Sequence, residues 1–438
     1  MWWFAPFFSS GGYATEARDF VLGLLEIQAV PTRQLAGLRI TQHGDTVDEQ
    51  ALEGLSDATL AGLEQLRRGN VSPDEAIVIC HAEPGAWRPP RYPTSLCPPE
   101  EDPAYTVGRT TFETDRIPVE WVARCRAMDE IWVPTEFNRE TFIQGGVPPK
   151  RLRVVPEAVD TAFFDPAKVD APLKLPLGAS LYTPGGKEKQ KRREMLPAGW
   201  QACAQQGSSD FAVVFLSVFK WEQRKGWPIL LRAFLQAFVN RCDVLLQLIT
   251  NPFHLEADLT QAARRELNAV LRELNATALP SPDGIRWAPA IAVLDGHLPS
   301  KDMPRLYAAA DAFVLPSHGE GWGRPHVEAM AMGLPIIATN WSGVTAYLSP
   351  RVGYPLSIDG LVPIPEGPYR HRHRWAQPSL SHLTELLIHV AENLDEAKQK
   401  GRAARELMVA NYSRAVVARI VMAELNRIQR HLEAEGVV

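Results

Sequence analysis

The stretch Asp311–Thr339, DAFVLPSHGEGWGRPHVEAMAMGLPIIAT, has the pattern strand, loop, helix, strand. Two short apolar runs, DAFVLP and LPIIAT, flank a helical segment that begins at Pro325, and proline is favoured in the first turn of a helix. Parallel strands that are buried on both faces are continuous apolar runs, and a helix between two of them makes a βαβ unit. The stretch therefore predicts an α/β fold with a parallel sheet.

The loop inside this stretch has the features of a ligand site. It carries Gly319, Gly321 and Gly323 between the strand and the helix, where glycines allow a close approach and the helix start offers N–H groups to phosphate. Glu320 and Glu328 would repel phosphate, so we expect them to accept hydrogen bonds from neighbouring sugar hydroxyls. Taken singly, each is more simply an ordinary loop or early-helix glutamate.

Composition sets the broad class of the protein. A chain of 438 residues is too long for one ordinary core and predicts two domains of roughly 200 residues each. The apolar fraction of 45% and the charged fraction of 22% are typical of soluble globular proteins. A net charge of −5 gives no indication of a nucleic-acid partner.

Cysteine spacing and the first residues bear on the compartment. The cysteines are odd in number and scattered, without a C-x-x-C pair, so a reducing cytoplasm is the simplest setting. The opening MWWFAPFF lacks a basic region and is shorter than the roughly 20 residues of a membrane span. We expect it to be the first strand, and we expect no transmembrane segment.

The apolar runs divide the chain into four parts. Residues 1–165 and 209–405 each alternate strand-like and helix-like segments, as in doubly wound α/β domains. Between them, residues 166–208 contain the charge run GGKEKQKRRE and are predicted to be a linker or surface insertion. Residues 406–438 are predicted to be helical, with an apolar stripe that could cover either domain.

A pair of lysines forms a second anchor in the later domain. Lys220 and Lys225 stand five positions apart in a loop that follows the strand FAVVFL. Two cations there could hold the diphosphate of a leaving group, although surface lysines near a helix start are the simpler interpretation of either one alone. The basic pair and the glutamate pair in one domain together favour a binding site.

These motifs, in this order, resemble a known family. FLSVFK-x4-KGW followed by ADAFVLPS-x-GEGWG-x4-EAMA-x-GLPIIAT is similar to the donor domain of the retaining glycosyltransferases of family 4, over nearly all of the second half. The spacing from Glu320 to Glu328 is the most specific motif of that family. The first half resembles it in the Gly11-Gly12 loop and in VVPEAVDTAFF. The segments VGRTTFETDRIP, MDEIWVPTEF and RWAQPS resemble a narrower group of bacterial-type members.

The resemblance implies the GT-B fold: two Rossmann-like, doubly wound parallel-sheet domains that face a cleft, with C-terminal helices crossing back to the N-terminal domain. It also implies a nucleotide-diphosphate sugar, most simply a UDP- or GDP-sugar, as co-substrate, with no cofactor and no metal. The absence of a D-x-D motif agrees with this. By the same resemblance, Lys220 and Lys225 bind the diphosphate, Glu328 holds the ribose and Glu320 lies near the transferred sugar. The predicted donor-binding set is completed by Gly12, Gly321, Trp322, Gly323 and Arg324.

One position departs from the family pattern. Where many members carry a histidine under the donor sugar, TTFETD places Glu113, and a carboxylate there could bond a sugar hydroxyl or stabilise a developing oxocarbenium ion. Glu113 joins Glu320 and the two lysines as a predicted catalytic residue. On the acceptor side, we consider Gly11, Tyr13 and His81. For His81, a ring satisfied by a backbone carbonyl is equally consistent with the sequence.

Several alternatives remain at this point. The predicted activity is sugar transfer to a saccharide, lipid-linked or small-molecule acceptor, and a lipid-linked acceptor would bring peripheral membrane contact. A non-catalytic nucleotide-sugar-binding subunit and an epimerase of the same fold are the alternatives. A phosphorylase is disfavoured because the context of a pyridoxal phosphate lysine is missing. We expect His371 and His373, in HRHR, to lie in a solvated loop.

Overall fold

The computed structural model describes residues 1–27, 37–48, 52, 55–88, 95–173, 200–202, 211–252, 265, 268–270, 272–273, 286–295, 298–365 and 367–437. Most of the predicted linker, with its charge run, lies outside the described residues. The boundaries of the four predicted parts stay predictions.

The first domain is built on a six-stranded, all-parallel sheet in the order β2-β1-β3-β4-β5-β6. Its strands are β1 Trp2–Ala5, β2 Arg39–Gln42, β3 Ile77–His81, β4 Tyr105–Arg109, β5 Glu130–Val133 and β6 Leu152–Val154, and its helices are α1 Gly12–Ile27, α2 Asp57–Arg67, α3 Val119–Ala127 and α4 Glu136–Gly145. The side chain of Thr135 caps α4 by accepting a hydrogen bond from the Asn138 amide, and Gly146 ends it in the left-handed conformation.

The second domain has its own six-stranded parallel sheet, in the order β11-β9-β8-β12-β13-β14. In chain order, the strands are β7 Trp200–Ala202, β8 Val213–Trp221, β9 Val244–Pro252, β10 Arg286–Ala288, β11 Ala290–Asp295, β12 Ala312–Leu315, β13 Ile336–Thr339, β14 Gly353–Leu356, β15 Ile358–Pro363 and β16 Arg374–Pro378. The helices are α5 Trp227–Ala237, α6 Met303–Tyr307, α7 Arg324–Ala331, α8 Leu380–Glu392, α9 Leu394–Leu407 and α10 Arg414–Ala434. Strands β12 and β13 are buried throughout, which explains why they are continuous apolar runs.

The last helix returns to the first domain. The predicted apolar stripe of α10, which includes Val417, Val421 and Ile428, is buried in the core of the first domain. Helices α1 and α10 approach so closely that a Cβ on Gly23 would lie 2.8 Å from the Arg414 carbonyl oxygen, so glycine is required there. Two doubly wound sheets with a returning helix confirm the predicted GT-B fold.

Buried ion pairs join the two domains near this helix. Asp19, in α1, accepts from Arg324 of the second domain at 2.6 Å and from Arg414 at the start of α10 at 2.7 Å. Arg324 also donates to the Ala158 carbonyl oxygen at 2.8 Å. Because a buried carboxylate is costly unless it is paired, these contacts fix the domains at one edge of the cleft.

A β-hairpin of the second domain reaches the first domain. The hairpin β15–β16 is antiparallel, and the amide of Arg374 at the start of β16 donates to Asp115 Oδ1 at 2.8 Å. The neighbouring His373 is only 5% exposed, and its Nδ1 lies 2.8 Å from Thr114 Oγ1. The expectation of a solvated loop is therefore wrong for His373, because the hairpin packs against the first domain, whereas His371 is exposed.

The structure contains a disulfide bond that the cysteine spacing did not indicate. Cys80, in β3, is bonded to Cys97, and both residues are buried, while Cys125 is a buried free thiol. Fold contacts bring the two residues together across a loop, which spacing alone cannot predict. In the described ranges, no helix combines the length and apolar character that crossing a bilayer requires.

Candidate active site

Two loops from opposite domains meet at the carboxyl ends of their strands. The loop after β12 touches the segment after β4 so closely that a Cβ on Gly319 would clash with the Glu113 carbonyl oxygen. A Cβ on Gly321 would likewise clash with Thr111 Oγ1. Glycine at these positions is what allows the loop with Glu320 to lie against the segment with Glu113. The predicted cleft therefore lies where open α/β sheets bind ligands.

Lys225 and Glu320 form a buried ion pair in this cleft. Lys225 lies in the turn Gln223–Lys225 that follows β8, and its Nζ lies 2.8 and 2.9 Å from the two carboxylate oxygens of Glu320. Burial would raise the pKa of Glu320, but the cations of Lys225 and Arg224 outweigh it and lower the pKa to about 2. Glu320 is therefore a carboxylate at neutral pH, as a hydroxyl acceptor must be.

Arg224 is a residue that the sequence reasoning missed. Its guanidinium pairs with Glu113 at 3.1 Å, with Glu222 at 2.7 Å and with Glu320 at 3.1 Å. Burial would lower the pKa of this guanidinium, but the carboxylates, with Glu113 the strongest, raise it above its usual range. Arg224 thus brings together Glu113 and Glu320, the two predicted catalytic carboxylates. Its adjacency to Lys225 was the available signal.

Lys220 faces the glycine loop of the first domain. Its Nζ lies 3.9 Å from the position that a Cβ on Gly11 would take, and Gly11 has a φ of +114°. Gly12 is the first residue of α1, so the ammonium stands beside a helix N-terminus. A cation next to the positive end of a helix dipole suits a diphosphate. The structure thus places the predicted residues Lys220, Gly11 and Gly12 together.

Glu328 is held by a tyrosine. It lies on α7, and its Oε2 accepts a hydrogen bond from the Tyr307 hydroxyl at 2.9 Å. Burial raises the pKa of Glu328, and Arg324 counteracts this effect. The Tyr307 contact leaves the other carboxylate oxygen for a second donor, as binding of a ribose would require.

Two residues of the predicted donor set have their side chains engaged elsewhere. The indole of Trp322 is buried and packs against Tyr347 and Tyr412, so only its backbone faces the loop. The guanidinium of Arg324 forms an ion pair with Asp19 of the first domain. Gly323 has a φ of +99°, which favours glycine and lets the chain turn into α7. Any contact of Trp322 or Gly323 with a ligand is therefore made by the backbone.

The acceptor-side candidates His81 and Tyr13 lie in different surroundings. His81 is fully buried in the first domain, where its Nδ1 accepts from the Trp3 indole at 3.3 Å and its Nε2 lies 3.0 Å from Glu16 Oε2. Those side chains, rather than a backbone carbonyl, satisfy the ring, and His81 offers no surface to an acceptor. Tyr13 instead lies next to the Glu113 segment, with its hydroxyl 3.1 Å from Thr110 Oγ1.

Two family models match the part of the chain that carries these motifs. The model described as glycosyl transferases group 1 matches residues 210–359, and that of family 4 glycosyltransferases in conflict systems matches residues 299–421. Residues 210–421 thus match models of group 1 and family 4 glycosyltransferases. Within the part of the chain that the structure describes, no group of three or more His, Cys, Asp or Glu residues could hold a metal ion.

Curated relatives match the chain only in part. The chain is 51% identical over 45 residues to O-antigen chain mannosyltransferase B of Escherichia coli, which is 10% of this chain and 12% of that protein. It is 28% identical over 204 residues to the D-inositol 3-phosphate glycosyltransferase of Acidothermus cellulolyticus, which is 46% of this chain and 35% of that protein. The chain thus spans about a third or less of the length of these relatives.

Solved structures match the chain over nearly its whole length. HepE from Anabaena, in complex with UDP and glucose, has a TM-score of 0.58 at 14% identity, covering 97% of this chain and 99% of that one. The sucrose-phosphate synthase of Thermosynechococcus elongatus has a TM-score of 0.58 at 14% identity and covers 99% of both chains. At this identity, the likeness shows the fold.

Proposed function

We propose that this protein is a glycosyltransferase that moves a sugar from a nucleotide-diphosphate sugar to an acceptor hydroxyl, with retention of anomeric configuration and without a metal. In the reaction, the bond between the anomeric carbon and the diphosphate oxygen breaks, and the nucleoside diphosphate leaves with the electron pair. The acceptor oxygen bonds to the same face of the anomeric carbon. The acceptor proton passes to the departing phosphate oxygen.

The observation that carries this proposal is the position of the two lysines. Lys220 lies beside the N-terminus of α1, and Lys225 forms an ion pair with Glu320 in the same interdomain cleft. Negative charge grows on the diphosphate as the bond breaks, and two preorganised cations in a water-poor cleft lower the barrier to that step. This arrangement needs no metal to neutralise the leaving group.

The two carboxylates are proposed to act electrostatically. Glu113 and Glu320 are both ion-paired to Arg224. Ion pairing weakens a carboxylate as a nucleophile, so both side chains suit hydroxyl binding and stabilisation of an oxocarbenium-like transition state. Retention then follows from attack on the face from which the phosphate departs, rather than from a covalent enzyme intermediate.

The donor, acceptor and compartment form the finer part of the proposal. HepE, which has this fold, was solved with UDP and with UDP-glucose, so UDP-sugars are the first donors to test and GDP-sugars the second. The acceptor is proposed to be a saccharide, lipid-linked or small-molecule hydroxyl. We propose a cytoplasmic location.

The experiment is a thermal-shift panel of UDP-, GDP- and ADP-sugars, with and without EDTA, followed by measurement of nucleoside diphosphate release. Glu328→Gln and Lys225→Ala are compared with the exposed control Lys150→Ala. A nucleotide sugar that stabilises the wild type and the control in EDTA, but neither site variant, supports the proposal. If no nucleotide sugar shifts the transition, or if Lys225→Ala responds like the wild type, the proposed donor site is incorrect. Binding without turnover over a broad acceptor panel would favour the non-catalytic subunit.

A further inference from the structure

A cavity of about 520 Å³ opens between the domains, on the side of Arg224 that faces the hairpin β15–β16. Its walls come from three places: the segment after β4, the turn after β8, and the hairpin with the residues that connect its strands. The volume is in the range of small-molecule sites, and such sites are commonly found between domains. All the described residues predicted to bind the donor, Lys220, Lys225 and Glu328 among them, lie outside its lining.

Aromatic rings make up much of the wall. Trp221 and Trp227 stack on each other with ring centroids 4.3 Å apart. On the hairpin side, Trp375 in β16 lines the cavity, and Tyr369, in the connection between β15 and β16, packs edge-on against Phe112 at 5.3 Å. The three tryptophans are nearly buried, so their planes are fixed before any ligand arrives. Rigid aromatic faces suit a ligand with a flat apolar side at low cost in entropy.

The charged groups of the cavity are already paired. Arg224 bonds both Glu113 and Glu222, and these three residues leave the lining with a net negative charge. A diphosphate or another anion would be repelled, whereas a neutral ligand with several hydroxyls could donate to the two carboxylates. A sugar ring combines these properties, because one face presents C–H groups and its edge presents hydroxyls.

We infer that this cavity is the acceptor subsite and that its ligand is a neutral saccharide, an inference that rests on the proposed transferase function. Glu113 and Arg224 belong both to the cavity wall and to the network that holds Glu320. A saccharide on the aromatic wall therefore presents its hydroxyl edge to the carboxylates beside the transferred sugar. The hairpin supplies Tyr369 and Trp375, so its sequence sets which acceptor fits.

The test uses the tryptophans as reporters on the full chain. Tryptophan fluorescence is titrated with glucose, mannose, galactose, N-acetylglucosamine, maltose and lactose, in the absence and presence of saturating UDP. We expect at least one saccharide to bind with and without UDP. In Tyr369→Ala, its affinity should fall about tenfold or more, while the UDP dissociation constant stays within about twofold of wild type. Tyr369→Phe keeps the ring and should restore saccharide binding.

The control and the contrary outcomes separate this inference from the proposed function. Phe163→Ala removes a partly exposed aromatic ring away from the cavity and should leave both titrations unchanged. If UDP binds but displaces the saccharide, or if Tyr369→Ala weakens UDP as much as the saccharide, the cavity belongs to the nucleotide and the inference is overturned. Binding of UDP with no saccharide response at millimolar concentrations across the panel overturns it as well. Failure of UDP itself to bind would instead count against the proposed function.

Discussion

The Nε atom of Arg224, in the second domain, lies 3.1 Å from Oε1 of Glu113, in the first domain. The same guanidinium donates to the Gly319 carbonyl oxygen at 2.7 Å and pairs with Glu320. One side chain therefore links the domains at the point where the predicted catalytic carboxylates meet. Because the planar fork of arginine can serve several acceptors at once, the closed cleft depends on this residue type.

Replacing Arg224 by lysine is expected to loosen the cleft. Lysine keeps the charge, but its ammonium cannot reach Glu113, Glu222 and Glu320 together. We expect turnover to fall about 10- to 100-fold and the radius of gyration, measured by small-angle scattering without ligand, to increase. Arg67→Lys, at an exposed ion pair, is the matched control. Wild-type turnover and an unchanged radius in Arg224→Lys would show that the network is dispensable for closure.

Lys225→Met, compared with the double variant that also carries Glu320→Gln, is expected to distinguish the effect of Lys225 on stability from its effect on transfer activity. It leaves Glu320 buried and still paired with Arg224, and we expect a loss of about 2–3 kcal/mol in the free energy of unfolding. Adding Glu320→Gln should restore part of this stability, because the unpaired charge is gone, but should restore none of the transfer activity. Urea unfolding and nucleotide release measure the two effects. Recovery of activity in the double variant would show that Lys225 does not bind the leaving diphosphate.

The low pKa of Glu320 predicts a loss of stability in acid. The folded pKa of about 2 lies below the ordinary value near 4.5, so the contribution is complete above pH 5 and is lost as the pH falls toward 2. Its size is about 3 kcal/mol for a shift of this extent. The difference in unfolding free energy between wild type and Glu320→Gln should shrink over that window, whereas the small difference for exposed Glu64→Gln should not. A gap that stays constant to pH 2.5 contradicts the assignment.

Tyr307 is expected to be a positioning residue for donor binding. Tyr307→Phe removes the hydrogen bond to Glu328 and should weaken UDP binding about 3- to 10-fold, while Glu328→Gln should weaken it about tenfold or more. Calorimetric titration with UDP gives both values. Tyr105→Phe, at a half-buried tyrosine of the first domain, serves as control. An unchanged UDP affinity in Glu328→Gln would exclude Glu328 from ribose binding.

The disulfide makes a prediction about redox conditions. Cys80 and Cys97 are 17 positions apart, and closing a loop of that length stabilises a protein by about 3 kcal/mol. A reductant should therefore lower the melting temperature of the wild type more than that of Cys97→Ala. Cys125→Ala, which removes a buried free thiol, should respond like the wild type. Trapping the thiols in cells by alkylation would decide whether the bond forms in a reducing cytoplasm.

The fold was predictable because its signals are local. Strands β12 and β13 are buried on both faces and appear in the sequence as continuous apolar runs, and the glycines between them mark the loop at the sheet edge. The ligand loop could be placed for the same reason. Gly321 and Thr111 follow strands of different domains, and they approach closely because the carboxyl ends of the two sheets face each other across the cleft.

The partners of individual side chains were not predictable, because they come from distant parts of the chain. Arg224 meets Glu113, which lies in the other domain, and no periodicity encodes that contact. His81 follows the apolar run IVIC and His373 lies among arginines, yet both are buried by packing between elements, and their partners could not be read from the sequence. The Cys80–Cys97 pairing likewise depends on the fold.

The return of α10 to α1 has a consequence for the order in which the protein matures. Residues near positions 417–432 fill the same core as Phe20 and Val21, so the domain that leaves the ribosome first lacks part of its interior until the last helix has been synthesised. Asp19 similarly receives its partner Arg414 only at that stage. On the ribosome, the second domain can therefore complete its sheet before the first domain completes its core.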